Sequence, residues 1–158
     1  MTTQRNTKAA ILTDIMLAVF RVNGRLLEKG DQMVEPLELT SARWQVLGAV
    51  SLADKPLSAP QVAEAMGITR QGAQKQLNKL EEEGLLEQLP NPRHERSPLY
   101  ELTKRGNQAF SAAMALQGSW ADGLAAGLSL QDLKNTLQTL NAVYEQLDSP
   151  VPNKGARS

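Results

Sequence analysis

The stretch SAPQVAEAMGITRQGAQKQLNKLEEE, running from Ser58 to Glu83, sets the terms on which the rest of the chain is read. Ser58 with Gln61 three residues on is a capping box, which starts a short helix. Val62, Ala63 and Met66 fall on its inner face, and Gly67 supplies a turn. Thr69 is an N-cap for a second helix, whose inner stripe is Ala73, Leu77 and Leu80. Two helices crossing steeply need a small residue at the contact, which Ala63 provides, and an apolar plug beside the turn, for which Ile68 is placed. The pattern is that of a helix-turn-helix.

The outward face of the second helix carries Arg70, Gln71, Gln74, Lys75 and Asn78. Arg and Lys donate to guanine edges or phosphates, and Gln and Asn make paired bonds to adenine. Thr69 and the first helical turn can offer backbone N–H groups to a phosphate. Between Arg70 and Lys79 stand three cations and no acid, and Glu81-Glu82-Glu83 is expected to lie away from the DNA. A polar helix face is most often merely solvated. What favours DNA here is the company this one keeps.

Downstream, Leu85–Leu89 and Leu99–Leu102 are short apolar runs flanking the polar, proline-rich Pro90–Pro98. Two strands joined by a loop are expected, the loop being a wing whose Arg93 and Arg96 reach a phosphate or a minor groove. His94, the chain's one histidine, sits between them and favours a phosphate when protonated. The candidate DNA contacts are therefore Ser58, Thr69, Arg70, Gln71, Gln74, Lys75, Asn78, Arg93, His94 and Arg96.

On the N-terminal side, Ile11, Ile15, Val19, Val22 and Leu26 predict a long helix from about Asn6 to Lys29, stopped by Gly30 and Asp31. A loop over residues 30–39 follows. Thr40 then caps a helix that ends near Ala53 to Pro56. On the C-terminal side, Thr103 caps a long helix to about Ala126. After Gly127, Ser129 and Asp132 open a last helix with Leu130, Leu133, Leu137, Leu140, Tyr144 and Leu147 three and four apart. Burying each such leucine is worth roughly 1.5–3 kcal/mol, so the stripe needs a partner. A second copy of the chain is the expected one.

The expected fold is mainly α with a small β-wing. Residues 37–102 form a winged helix-turn-helix, residues 6–36 and 103–148 a helical dimerisation region, and residues 1–5 and 149–158 flexible tails. Met16, Phe20, Trp44, Phe110 and Met114 can line an effector cavity where the first, second and fifth helices meet, although such residues are more often plain core.

Lys plus Arg equals Asp plus Glu at 17 each, so global charge gives no support for a polyanionic partner. The case for DNA rests on local sorting of charge. With no cysteine and one histidine, no phosphate-binding glycine loop and no paired nucleophile and base, neither an enzyme nor a metal or cofactor site is expected. No apolar run approaches a membrane span and no signal peptide is visible, so a cytoplasmic protein is the expectation.

Residues 39–106 resemble the MarR family of winged-helix regulators. The resemblance runs through Leu39-Thr40, Arg43-Trp44, Val46-Leu47, Leu57-Ser58, Val62-Ala63 and Met66-Gly67-Ile68-Thr69. It continues through Leu77, Leu80-Glu81, Gly84-Leu85-Leu86-Glu87, Asn91-Pro92-Arg93, Arg96, Leu102-Thr103 and Gly106. It implies a homodimer paired through its first and last helices, reading a palindromic operator in double-stranded DNA. It also implies a small effector, often aromatic or anionic, between the dimerisation and DNA-binding parts. The chain departs from the family in two places. Where the wing commonly has Asp-x-Arg, it has His94-Glu95-Arg96, and the often basic strand entering the wing is Gln88-Leu89. The alternative is a winged helix used for protein–protein contact without specific DNA binding.

Overall fold

The computed structural model describes residues 7–151. The tail expected at 1–5, the helix start at Asn6 and residues 152–158 of the other tail lie outside them. The described residues form two compact units that divide between Gln117 and Gly118.

In the first unit, Thr7 Oγ1 accepts from Ala10 N at 3.2 Å and opens α1, Lys8–Val34. This helix runs past the expected stop at Gly30. The glycine leaves room for the first residue of α2, Ser41–Ser51: a Cβ on Gly30 would collide with Ser41 Oγ. The approach is fastened on both sides. Ser41 N donates to Asp31 Oδ1 at 2.7 Å and Ser41 Oγ to the Leu27 carbonyl at 2.7 Å. Pro36 falls in a single 3₁₀ turn, Glu35–Leu37, closed by Glu38 at φ +57°. The expected ten-residue loop is thus mostly helix.

Strand β1, Leu57–Ser58, leads directly into α3, Ala59–Met66, and Gly67 at φ +62° turns the chain toward α4, Arg70–Glu82. That left-handed residue is why a glycine is needed there. Gly84, at φ +73°, turns it again into β2, Leu86–Leu89. Strand β3, Leu99–Leu102, returns antiparallel and is the middle strand in the order β1-β3-β2. Leu57 faces Tyr100 on one side and Gln88 faces Tyr100 on the other. The two-residue strand β1 was too short to show a period in the sequence.

One apolar core joins these parts: Val46, Leu47, Val62, Ala73, Leu77 and Leu80 are fully buried, with Leu86 and Tyr100 nearly so. Ile68 is a correction. It is 38% exposed, so it is no buried plug, and it is the backbone that closes the turn there, its N–H donating to the Ala63 carbonyl at 3.0 Å. Helix α5, Lys104–Ala125, starts under Thr103, whose Oγ1 accepts from Gly106 N at 3.0 Å and donates to the Gly84 carbonyl at 2.7 Å.

In the second unit, Ser129 Oγ accepts from Asp132 N at 3.0 Å and caps α6, Leu130–Leu147. No residue of α6 is buried.

Gly106 carries a testable consequence. A Cβ there would drive into the Leu85 carbonyl, a backbone atom that cannot rotate away. Gly106→Ala should lower unfolding stability by roughly 1–3 kcal/mol, the usual cost of overpacking. Urea denaturation followed by circular dichroism checks it, and an unchanged midpoint would contradict this account of the α5 entry.

Candidate nucleic-acid interface

Helix α4 stands on three side chains. Ala73, Leu77 and Leu80 have no exposed surface, which turns the other side of the helix outward. Thr69 Oγ1 accepts from Gly72 N at 3.0 Å and holds the first turn. Arg70, Gln71, Lys75 and Asn78 are exposed and Gln74 is half-buried.

The surface continues off the helix. Arg70, Gln71 and Gln74 share a cleft with Arg96 and with Pro60 at the start of α3. A neighbouring cleft joins Ser58, Arg93 and His94 to Lys55, a cation that the sequence reading passed over. Its signal was only a lysine in a turn before a proline. The two clefts share Pro60 and Ser97, and a third cleft along α4 shares Gln71 and Gln74 with the first, so nine of the ten candidate contacts line connected clefts and Thr69 lines none of them. Among the described residues, Lys55, Arg70, Lys75, Arg93 and Arg96 form no ion pair.

Ser58 needs correction as a surface donor. It is 7% exposed, and both its backbone N–H (2.9 Å) and its hydroxyl (3.1 Å) donate to Gln61 Oε1. Its chemistry goes into capping α3. The wing is held without an Asp–Arg pair. Asn91 does that work: its Nδ2 donates to the Ser97 carbonyl at 2.8 Å, and its Oδ1 accepts from Arg93 N at 3.1 Å.

Trp44, Phe110 and Met114 line an apolar groove of about 600 Å³ with Gly48, Leu52 and Met66. Met16 and Phe20 do not reach it. They are 37% and 73% exposed, for a reason of length: α1 is fastened to α2 at Gly30 and Asp31. At ~1.5 Å per residue, Phe20 stands ~15 Å and Met16 ~21 Å back along the helix.

A family model described as MarR family matches residues 37–97. An uncharacterized protein of Mycobacterium tuberculosis is 36% identical over 126 residues, covering 77% of this chain and 86% of that one. The chain belongs to the MarR family. A mutant MarR from E. coli, solved in complex with operator DNA, superposes with a TM-score of 0.73 at 20% identity, covering 87% of this chain and 99% of the other. CouR from Rhodococcus jostii, solved with p-coumaroyl-CoA, also gives a TM-score of 0.73, at 22% identity over 82% and 91% of the two chains. The fold is that of a MarR-family transcription regulator, and no helix among the described residues is long and apolar enough to cross a membrane.

Within this MarR fold, one contact that sequence reading missed fixes the far end of α4. Arg43 Nη1 donates to both carboxylate oxygens of Glu83, at 2.6 and 2.7 Å, across forty positions of sequence. Arg105 Nη1 adds a bond to the Glu83 carbonyl at 2.9 Å. The acidic run at 81–83 is therefore in part a structural anchor. The side chains are only 15% and 28% exposed, so screening is incomplete. A double-mutant cycle on Arg43→Gln and Glu83→Gln should give a coupling of about 1 kcal/mol, between exposed pairs and charge-assisted bonds in the interior. Additive effects on unfolding would remove the anchor from the account.

Proposed function

We propose that this chain is a homodimeric, sequence-specific DNA-binding regulator. It occupies a pseudo-palindromic operator as a repressor and is released when a small aromatic ligand enters the Trp44–Phe110–Met114 groove. The observation that carries the DNA reading is the division of α4. Its apolar side is wholly buried, and its outward side presents donors and cations with no acid before Glu81. Arg70, Gln71, Gln74, Lys75 and Asn78 would enter a major groove, while Arg93 and Arg96 meet phosphates or a minor groove. The fold shared with an operator-bound MarR supports the same docking.

Dimerisation is supported by apolar surface that each unit leaves in water. On α1, Phe20 is 73% and Val22 54% exposed, and on α6, Leu130, Leu137 and Leu147 are each above 60%. A two-fold partner covers such faces without opening new ones, and it would set two recognition helices ~34 Å apart along DNA. The groove is supported as a ligand site by its apolar lining and by a size in the usual range of ~300–1,000 Å³.

Selection of bound fragments from a random duplex library tests the DNA reading. The wild type should enrich a two-fold symmetric sequence. Arg70→Ala should weaken its binding by roughly 1–3 kcal/mol if the guanidinium meets a base. Arg96→Ala should reduce the salt dependence of affinity by about one phosphate contact. Recovery of no sequence at low salt would assign the face to protein contact instead.

Sedimentation tests the dimer. Phe20→Glu combined with Leu137→Glu should yield monomers that lose operator binding, and a sedimentation coefficient equal to that of the wild type would refute the assignment of these faces.

A further inference from the structure

Tyr100 is a core residue, 1% exposed and in the middle strand, yet its hydroxyl group is used at the outer face. Its Oη accepts from Gln74 Nε2 at 3.0 Å and lies 3.5 Å from Gln88 Nε2. Gln74 Nε2 donates a second time, to Asn78 Oδ1 at 2.7 Å. A carboxamide nitrogen has two protons, and both are committed. Gln74 therefore has only its Oε1 to offer a ligand, as an acceptor. Asn78, one turn further on and exposed, has its oxygen engaged and its Nδ2 donors left over.

This changes what the recognition helix can read. An untethered glutamine recognises adenine through a pair of bonds, donating to N7 while accepting from N6. A glutamine restricted to accepting takes one bond from an exocyclic amine, which adenine N6 and cytosine N4 provide equally. The position of Tyr100 is well defined: β1 holds it on one side through Leu57 and β2 on the other through Gln88. Gln88 is in turn held by Glu81 Oε2 at 2.8 Å. A fixed hydroxyl under a half-buried side chain makes a tether with little slack.

Resting on the DNA-reading role of α4, we propose that the Tyr100 hydroxyl is a specificity-determining positioning group. It holds Gln74 as a pure acceptor, so that the base pair beneath Gln74 must present an amine and adenine is not preferred over cytosine.

The test compares full-length wild type, Tyr100→Phe, Gln74→Ala and the double variant. Each is measured against the selected operator and all its single-base changes, alongside thermal unfolding and affinity for unrelated duplex at low salt. Gln74→Ala locates the position by flattening its base preference. At that position the wild type should accept adenine and cytosine alike. Tyr100→Phe frees an amide proton and should favour adenine over cytosine by roughly tenfold, within the range of one bidentate pair. Its unfolding midpoint and its affinity for unrelated duplex should stay unchanged, and it should have no effect in the Gln74→Ala background. Gln74→Glu, an acceptor of the same shape, should keep the wild-type rank order of bases while lowering overall affinity. This second variant decides the matter if Tyr100→Phe unfolds. A base profile at that position identical in wild type and Tyr100→Phe overturns the inference, as does a loss of the rank order in Gln74→Glu. Absence of any selected sequence overturns the DNA reading and this inference with it. A selected operator with an unmoved profile overturns the inference alone.

Discussion

Helix α4 has three apolar side chains, Ala73, Leu77 and Leu80, with which to hold itself to the protein. At roughly 1.5–3 kcal/mol for each leucine, that is a modest attachment for a helix of 13 residues whose other face must stay polar. Gln74 adds one bond to Tyr100 from the outward side, and the remaining fastenings are at its two ends. Gly67 and the Thr69 cap fix where the helix begins, and Gly84 fixes where the chain leaves it. Arg43 holds Glu83, with Arg105 on the same residue's carbonyl. Rigidity at the termini leaves the side chains of the middle turns available to a partner, which is the condition for reading a sequence of bases.

The same constraint explains which features the sequence made plain. Caps, left-handed glycines and a 3.6-residue stripe are local, so Ser58 with Gln61, Gly67, Thr69 and the leucines of α4 could be placed from neighbours in the chain. The strand Leu99–Leu102 was legible from its apolar run. Contacts between distant positions were not. Nothing near Arg43 points to Glu83. Tyr100 reads as one more apolar residue of a strand, since the use of its hydroxyl depends on Gln74 and Gln88 arriving from two other elements.

Gly30 shows how a true local signal can be given the wrong meaning. Glycine after an apolar stripe usually ends a helix, and a stop is the economical reading. Here it leaves room for the Ser41 hydroxyl of α2, which a Cβ would strike, and the helix continues four residues further to Val34. Met16 and Phe20 went astray for a related reason. Aromatic and methionine side chains on a stripe announce burial somewhere, but the stripe does not say against what. Their exposure in the single chain makes them candidates for an interface, while Trp44, Phe110 and Met114, three of the five residues grouped from the sequence, line one groove.

Electrical neutrality, which by itself gave no support for a polyanionic partner, becomes informative once charges are placed. Glu83 is taken up by Arg43, and Lys79 lies 3.4 Å from Glu82 and 3.7 Å from Glu83. Carboxylates at the end of α4 are thus answered locally, whereas Lys55, Arg70, Lys75, Arg93 and Arg96 form no ion pair among the described residues. Beyond a Debye length of ~8 Å at physiological salt the summed charge matters little, and a duplex on this face would meet the unpaired cations first. In the proposed homodimer this set counts twice, and its phosphate contacts would supply affinity without choosing a sequence. Choice of sequence would then fall to Arg70 and to the neutral carboxamides, and a carboxamide discriminates only when something decides which of its two ends faces the base.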